Sequence, residues 1–119
     1  MAKHSFTQVL REHNQIFITV KGRRSGRNIS MPVWFVLQGE ALWLLPVHGS
    51  CTEWYRNLPV NPMISIRGGR TRRTAQGRTV NDPQTVKRVV EWFQEKYTPS
   101  EVARYYTGLD VAVEVSHIE

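Results

Sequence analysis

Residues 28–49 read NISMPVWFVLQGEALWLLPVHG. β-Branched and aromatic residues fill both halves and Gln38-Gly39 breaks them, so the segment predicts a β-hairpin turning there. Pro32 has no amide hydrogen to give to a neighbouring strand, which places the first half at an edge or a bulge. The second half runs through Leu45 and Pro46 into His48-Gly49, and from there directly into CTEWYRNL. Strand end, glycine turn and helix start are therefore compressed into a few residues.

On the N-terminal side, QIFITVKG (15–22) alternates as a strand does, and SFTQVLREH (5–13) brings Phe6, Val9 and Leu10 to one face of a short helix. On the C-terminal side, Ser50-Cys51-Thr52-Glu53 has capping-box form, and Pro59 and Pro62 stop the helix it opens. MISIRGGRTRRTAQGRTV (63–80) predicts a second hairpin with Gly68-Gly69 as its turn. Asp82 then caps a longer helix with Pro83 in its first position and Val86, Val89, Val90, Phe93 and Tyr97 at helical spacing. Thr98-Pro99-Ser100-Glu101 restarts a helix through Tyr106. DVAVEVSHI (110–118) closes the chain with Val111, Val113 and Val115 on one side of a strand. The pattern amounts to about six mostly antiparallel strands with three or four helices. Hairpins dominate and no β-α-β crossover is evident. Closure of so many strands into a small barrel would remove exposed edges. One compact α+β domain over residues 1–119 is expected.

Composition narrows the function classes. Of 119 residues, 40% are hydrophobic and 22% charged, which is ordinary for a globular chain. No apolar run approaches the roughly 20 residues that span a bilayer, so no transmembrane segment is expected. The first residues lack the apolar core of a signal peptide, and the cytoplasm is the expected location. Cys51 has no second cysteine to pair with and reads as a small packed side chain. A formal net charge of +6 points to a polyanionic partner: nucleic acid, an anionic membrane or a phosphate-bearing small molecule.

No set of side chains reads as a self-sufficient catalytic centre. His4, His13, His48 and His117 fall in different elements and none has a partner at metal spacing, so no metal is expected. Asp82 and Asp110 read as a cap and a strand start. An enzyme built this way leaves its hard chemistry to a bound cofactor. GRRSGR (22–27) offers glycine-permitted amides, a serine hydroxyl and guanidinium forks, which suit phosphate; it also reads as an exposed hairpin loop. Arg67, Arg70, Arg72, Arg73 and Arg78 on the second hairpin raise RNA binding. Against that, Trp34, Phe35, Trp43 and Trp54 lie among apolar neighbours and read as core rather than as a stacking platform. The Gly49-Ser50 turn and helix start present free amides to an anion or a carbonyl. Trp54 and Tyr55 can wall a flat ring there, although Trp54 reads equally as an anchor and Asn57 as a C-terminal cap.

TVKGRRSGR, PVWFV, LLPVHGS and WYRNLPVNP, in this order over about residues 17–68, resemble the deazaflavin-dependent nitroreductase and quinone reductase family. The resemblance implies a split β-barrel and coenzyme F-420, a flat deazaflavin on a phosphate- and glutamate-bearing anionic tail. It assigns the phosphate end to Arg23, Arg24 and Ser25. Ile29, Ser30, Met31, Pro32, Val33 and Trp34 would line the pocket, and Leu45, Pro46, Val47 and His48 would run beside the ring. Trp54, Tyr55, Arg56 and Asn57 would close it. Tyr105 and Tyr106 are the expected catalytic, substrate-side residues, ahead of Tyr97. The implied reaction passes a hydride to a small-molecule acceptor such as a quinone, a nitro compound or an enone. Val47 and His48 depart from the small or lysine residues that some members place beside the ring. Related split barrels bind FMN, the alternative cofactor. The rival readings are a carrier that binds F-420 or FMN without turnover, and a basic nucleic-acid-binding module. Nucleic acid is not the expected partner, and a monomer or homodimer is expected.

Overall fold

The computed structural model describes residues 6–116 and 118; His4, His117 and the expected helix start at Ser5 lie outside them. In chain order the elements are α1 (Phe6–Arg11), β1 (Ile16–Lys21), β2 (Asn28–Val33), β3 (Val36–Gln38), β4 (Ala41–Leu44), a 3₁₀ turn (Gly49–Cys51) and α2 (Glu53–Asn57). They continue with β5 (Met63–Gly68), β6 (Thr71–Val80), α3 (Pro83–Tyr97), α4 (Pro99–Tyr105) and β7 (Ala112–Val115). Every strand pairing is antiparallel, in the order β2-β1-β5-β6-β7-β4-β3. This is an α+β fold around a curled half-barrel sheet.

There are seven strands where the sequence predicted about six. The expected hairpin of residues 28–49 is split: Asn28–Val33 pairs with β1, and only Val36–Gln38 turns back on β4. Trp34 and Phe35 join the two pieces, so the chain leaves one end of the sheet and enters the other. The GRRSGR loop is itself a tight hairpin turn, closed by Gly22 N–H donating to Arg27 O (2.8 Å) and Gly26 N–H to Gly22 O (2.9 Å). It hands residue 28 straight back to β1. Pro32 lies on β2, an edge strand, where its missing amide hydrogen costs no ladder bond.

The second hairpin forms with a one-residue shift: Gly68 pairs with Thr71, which makes Gly69-Arg70 the turn. β6 then serves both halves of the sheet, its first part against β5 and Gly77–Val80 against β7. At the changeover Gly77 N–H donates to Pro62 O (2.8 Å), and Leu58 and Val113 pack where a side chain would stand.

Two apolar cores result. The first fills the curl of the sheet with Ile16, Ile18, Val20, Phe35, Leu42, Leu44, Ile64, Ile66, Val113 and Val115, and α1 adds Phe6 and Leu10. The second lies under α3 and α4, where Val86, Val89, Phe93, Val102 and Tyr106 cover Val36, Trp43, Leu45, Val80 and Ala112. β7 is therefore buried on both faces, Ala112 as fully as Val113. The alternation of its sequence marks two cores rather than one core and solvent. Asp82 caps α3 by accepting from Thr85 N–H (2.9 Å).

Candidate functional site

Strand β2 builds one wall. Ile29, Met31 and Val33 are in register with Val20, Ile18 and Ile16, all buried, so these three share the inward face of the sheet. Ser30 alternates outward, and its hydroxyl meets Thr19 Oγ1 at 2.7 Å. Because β2 is an edge, its inward face runs out from under the core. Ile29 is 41% exposed, and two hollows lie along this strand.

The first hollow, of about 290 Å³, is mainly apolar. Met31, Pro32, Val33 and Trp34 line one side, Leu45, Val47 and His48 another, and Thr52, Trp54, Tyr105 and Tyr106 complete it. Trp34 is stacked between Tyr97 (ring centroids 4.4 Å apart) and Tyr105 (4.5 Å), with Tyr106 edge-on at 6.0 Å. Tyr106 is buried, and that burial raises the pKa of its hydroxyl, with Tyr105 and Tyr97 adding to the rise.

The second hollow, of about 280 Å³, is lined by Gly22, Arg23, Arg24, Ser25, Ile29, Glu53 and Asn57. Arg23 is spent on α2. Its guanidinium donates to Asn57 Oδ1 (2.8 Å) and Glu53 Oε1 (2.9 Å), and its backbone N–H donates to the same Asn57 oxygen (3.1 Å). The Arg23 hydrogen bond and charge lower the Glu53 pKa, so this carboxylate enters the hollow already paired. Arg24 and Arg27 are exposed, and the Ser25 hydroxyl accepts from Arg27 N–H (3.1 Å). Two guanidinium groups against one paired carboxylate leave the lining net positive.

The turn that carries His48 is built by close approach of two segments. Gly49 adopts φ +60°, and a Cβ there would lie 2.2 Å from Asp110 Oδ1. His48 bridges Gly108 in parallel fashion, and Thr107 N–H donates to Val47 O (2.8 Å). The capping box expected at Ser50 does not form. Ser50 sits in the 3₁₀ turn, where its N–H and hydroxyl both donate to Asp110 (2.9 and 2.7 Å), while Glu53 turns away to Arg23. Thr52 is the N-cap of α2, and its hydroxyl accepts from His48 N–H (2.8 Å). Asn57 holds the basic loop, in place of the cap role open to it from sequence. Cys51, expected to be packed, is exposed because the 3₁₀ turn lies at the surface.

Of the residues singled out from sequence, Ser30, Pro46, Tyr55 and Arg56 line neither hollow. Pro46 is buried, and Tyr55 packs against the first core. Arg56 is exposed and 3.9 Å from Glu53. Thr52 and Glu53 were missed as lining residues. Their only signal was the capping pattern, which assigned them to the helix backbone.

A curled antiparallel sheet with hollows along one free edge strand and a basic hairpin loop at its end defines the split-barrel class. Within that class, the family model for F-420H(2)-dependent quinone reductase matches residues 2–117, and the chain belongs to that family. No curated protein sequence matches it. Among solved structures it is similar to a conserved hypothetical protein of Mycobacterium tuberculosis (TM-score 0.74, 17% identity, 97% of this chain and 82% of that one). The heme storage protein HutZ of Vibrio cholerae is also similar (0.70, 17%, 95% and 87%). So is an F-420H(2) dependent reductase, FDR-A (0.67, 19%, 87% and 94%). At these identities the likeness is one of fold.

Proposed function

We propose that this chain is a reductase that uses coenzyme F-420 to reduce small electrophilic acceptors, quinones or nitro compounds. One observation carries the reading: an apolar, aromatic-walled hollow and a net-positive hollow share the walls β2 and α2. A flat ring suits the first and an anionic tail the second. The donor set passes the same test, because the carboxylate in the basic hollow is already neutralised by Arg23.

Each residue then has a task. Arg24 and the Ser25 hydroxyl would hold the phosphate end, with Arg23 fixing the loop that presents them. Met31, Val33, Val47 and Trp54 would bury the ring, and Trp34 with Tyr105 and Tyr106 would shape the acceptor side. When bound, the reduced coenzyme supplies a hydride from its ring carbon. The protein's contribution is to align donor with acceptor and to exclude water.

The test is a titration of the purified protein with oxidised coenzyme F-420 and, separately, with FMN, followed by fluorescence. Micromolar or tighter binding of F-420 alone supports the reading, and a quinone and nitroaromatic screen then tests turnover. Binding of FMN alone changes the cofactor. Binding of neither sinks the assignment of the two hollows.

A further inference from the structure

His48 lines the apolar hollow, and its other contacts determine which ring nitrogen carries the hydrogen. Nδ1 lies 2.7 Å from Thr107 Oγ1, and that hydroxyl lies 3.3 Å from the carbonyl oxygen of Val47. A carbonyl only accepts, and a hydroxyl has one proton to give. Both contacts are hydrogen bonds at once only when Nδ1–H donates to Thr107 and Thr107 donates to Val47. The neutral ring then keeps a bare Nε2, and the protonated ring gains an N–H there.

The rest of the lining offers no rival of the same kind. It contains no carboxylate, lysine or arginine, and its other titratable groups are Tyr105 and Tyr106. Tyr106 is 5% exposed. On the adjoining turns stand Cys51 and Asp110, and both Asp110 oxygens are taken by Ser50. Imidazole is the side chain suited to exchange protons near neutral pH. The ring of His48 is exposed enough to recover its proton from solvent.

We propose that His48 is the catalytic proton donor to the reduced acceptor, held in the competent tautomer by Thr107. The role rests on the oxidoreductase reading above. With a quinone acceptor, the hydride delivers two electrons and one proton and leaves a hydroquinone monoanion. The Nε2–H bond of the imidazolium breaks, its electron pair stays on nitrogen, and the proton forms the second O–H of the hydroquinone. Solvent restores the imidazolium. Thr107 acts through His48 and is a positioning residue.

The experiment compares wild type, His48→Gln and Thr107→Val in three readouts: coenzyme F-420 affinity, quinone turnover against pH, and imidazole nitrogen NMR of the free protein. Glutamine keeps a polar N–H in place but cannot act as an acid. Wild-type kcat should fall as the pH rises, and H48Q should be about 100-fold slower near pH 6 with that fall gone. Its coenzyme Kd should stay within about threefold of wild type, under 0.7 kcal/mol. At high pH, nitrogen NMR should show Nδ1–H in wild type and a mixture of tautomers in T107V. An H48Q enzyme with the wild-type pH profile overturns the role, as does a neutral wild-type ring that carries its hydrogen on Nε2 instead of Nδ1. So does a rise in Kd that matches the fall in kcat, which would make His48 a binding residue. Wild-type protein that binds the coenzyme yet reduces no acceptor overturns the reductase reading and this role together.

Discussion

Asn57 Oδ1 accepts two hydrogen bonds from Arg23, one from its backbone N–H at 3.1 Å and one from its guanidinium at 2.8 Å. A single buried carboxamide thus ties the basic loop to α2 and sets where the neighbouring Arg24 stands. The two arginines of the loop should therefore fail differently. Arg24→Ala should weaken coenzyme F-420 binding by about 10- to 100-fold, the loss of a charged hydrogen bond, with melting temperature unchanged. Asn57→Ala should lower stability by about 1–3 kcal/mol, because it leaves the part-buried Arg23 N–H without its acceptor, and Arg23→Ala should cost less, because the backbone N–H of residue 23 still donates to Asn57 Oδ1. Tyr106→Ala should affect coenzyme binding less than R24A. Urea melts and fluorescence titrations of the four variants decide this, and equal binding losses in R24A and Y106A would sink the division between the two hollows.

Gly49 and Gly39 share a backbone conformation, at φ +60° and +61°, but not a setting. At Gly39 an added Cβ meets nothing within 4 Å, whereas at Gly49 it would collide with Asp110. Gly39→Ala should cost only the left-handed conformation, about 1–2 kcal/mol. Gly49→Ala should cost clearly more, and should also separate Ser50 from Asp110 and displace His48. Paired denaturation curves give the difference, and equal costs would mean that the turn tolerates the displacement.

Much of the frame was legible because local chemistry and fold agree. Pro32 announced an edge strand, Asp82-Pro83 a helix start, and the valines and Phe93 of α3 its buried face. Alternation in β1 and β5 marked strands, since one face of each meets the barrel interior. What escaped depends on partners remote in sequence. Nothing in NISMPVWFVLQ states that its first half pairs with β1 and its second with β4, because both halves are equally strand-like. Ser50-x-x-Glu53 is a true capping pattern that loses to two better offers, Asp110 and Arg23, neither of which is local. The same holds for the site. Arg23 and Arg24 are chemically alike in the sequence, and only the position of Asn57 makes one structural and leaves the other free.

Asp110 supplies a pH signature for the turn. The side-chain hydrogen bond from Ser50 holds its carboxyl below the usual carboxylate range, with the Ser50 N–H adding to the effect. A carboxylate whose folded pKa lies below the unfolded value, about 3.9, stabilises the fold fully above that value. That contribution is lost as the pH falls through the folded pKa. The Ser50 amide resonance should accordingly titrate with a midpoint below about 3.9, and Asp110→Asn should abolish the transition. A midpoint at or above that value would show that the Ser50–Asp110 pair does not hold in solution.

Tyr97 reads as structural once its hydroxyl is placed. It lies 2.7 Å from Asn14 O and 3.0 Å from Phe35 O, and it accepts from Phe35 N–H at 3.2 Å. Burial pushes its pKa up to about 12, so it remains a donor throughout the neutral range. Tyr97→Phe removes these contacts while keeping the ring stacked on Trp34. Phe35 O retains Lys96 Nζ as a donor at 2.8 Å, but Phe35 N–H is left without a partner. The expected cost is about 1–3 kcal/mol of stability, with coenzyme affinity and turnover unchanged. A phenol whose folded pKa is raised stabilises the fold below its unfolded value of about 10 and loses that contribution as the pH climbs toward the folded value. Y97F should therefore lose less stability than wild type between about pH 10 and 12. A variant that melts like wild type but turns over more slowly would instead place the Tyr97 hydroxyl in the chemistry.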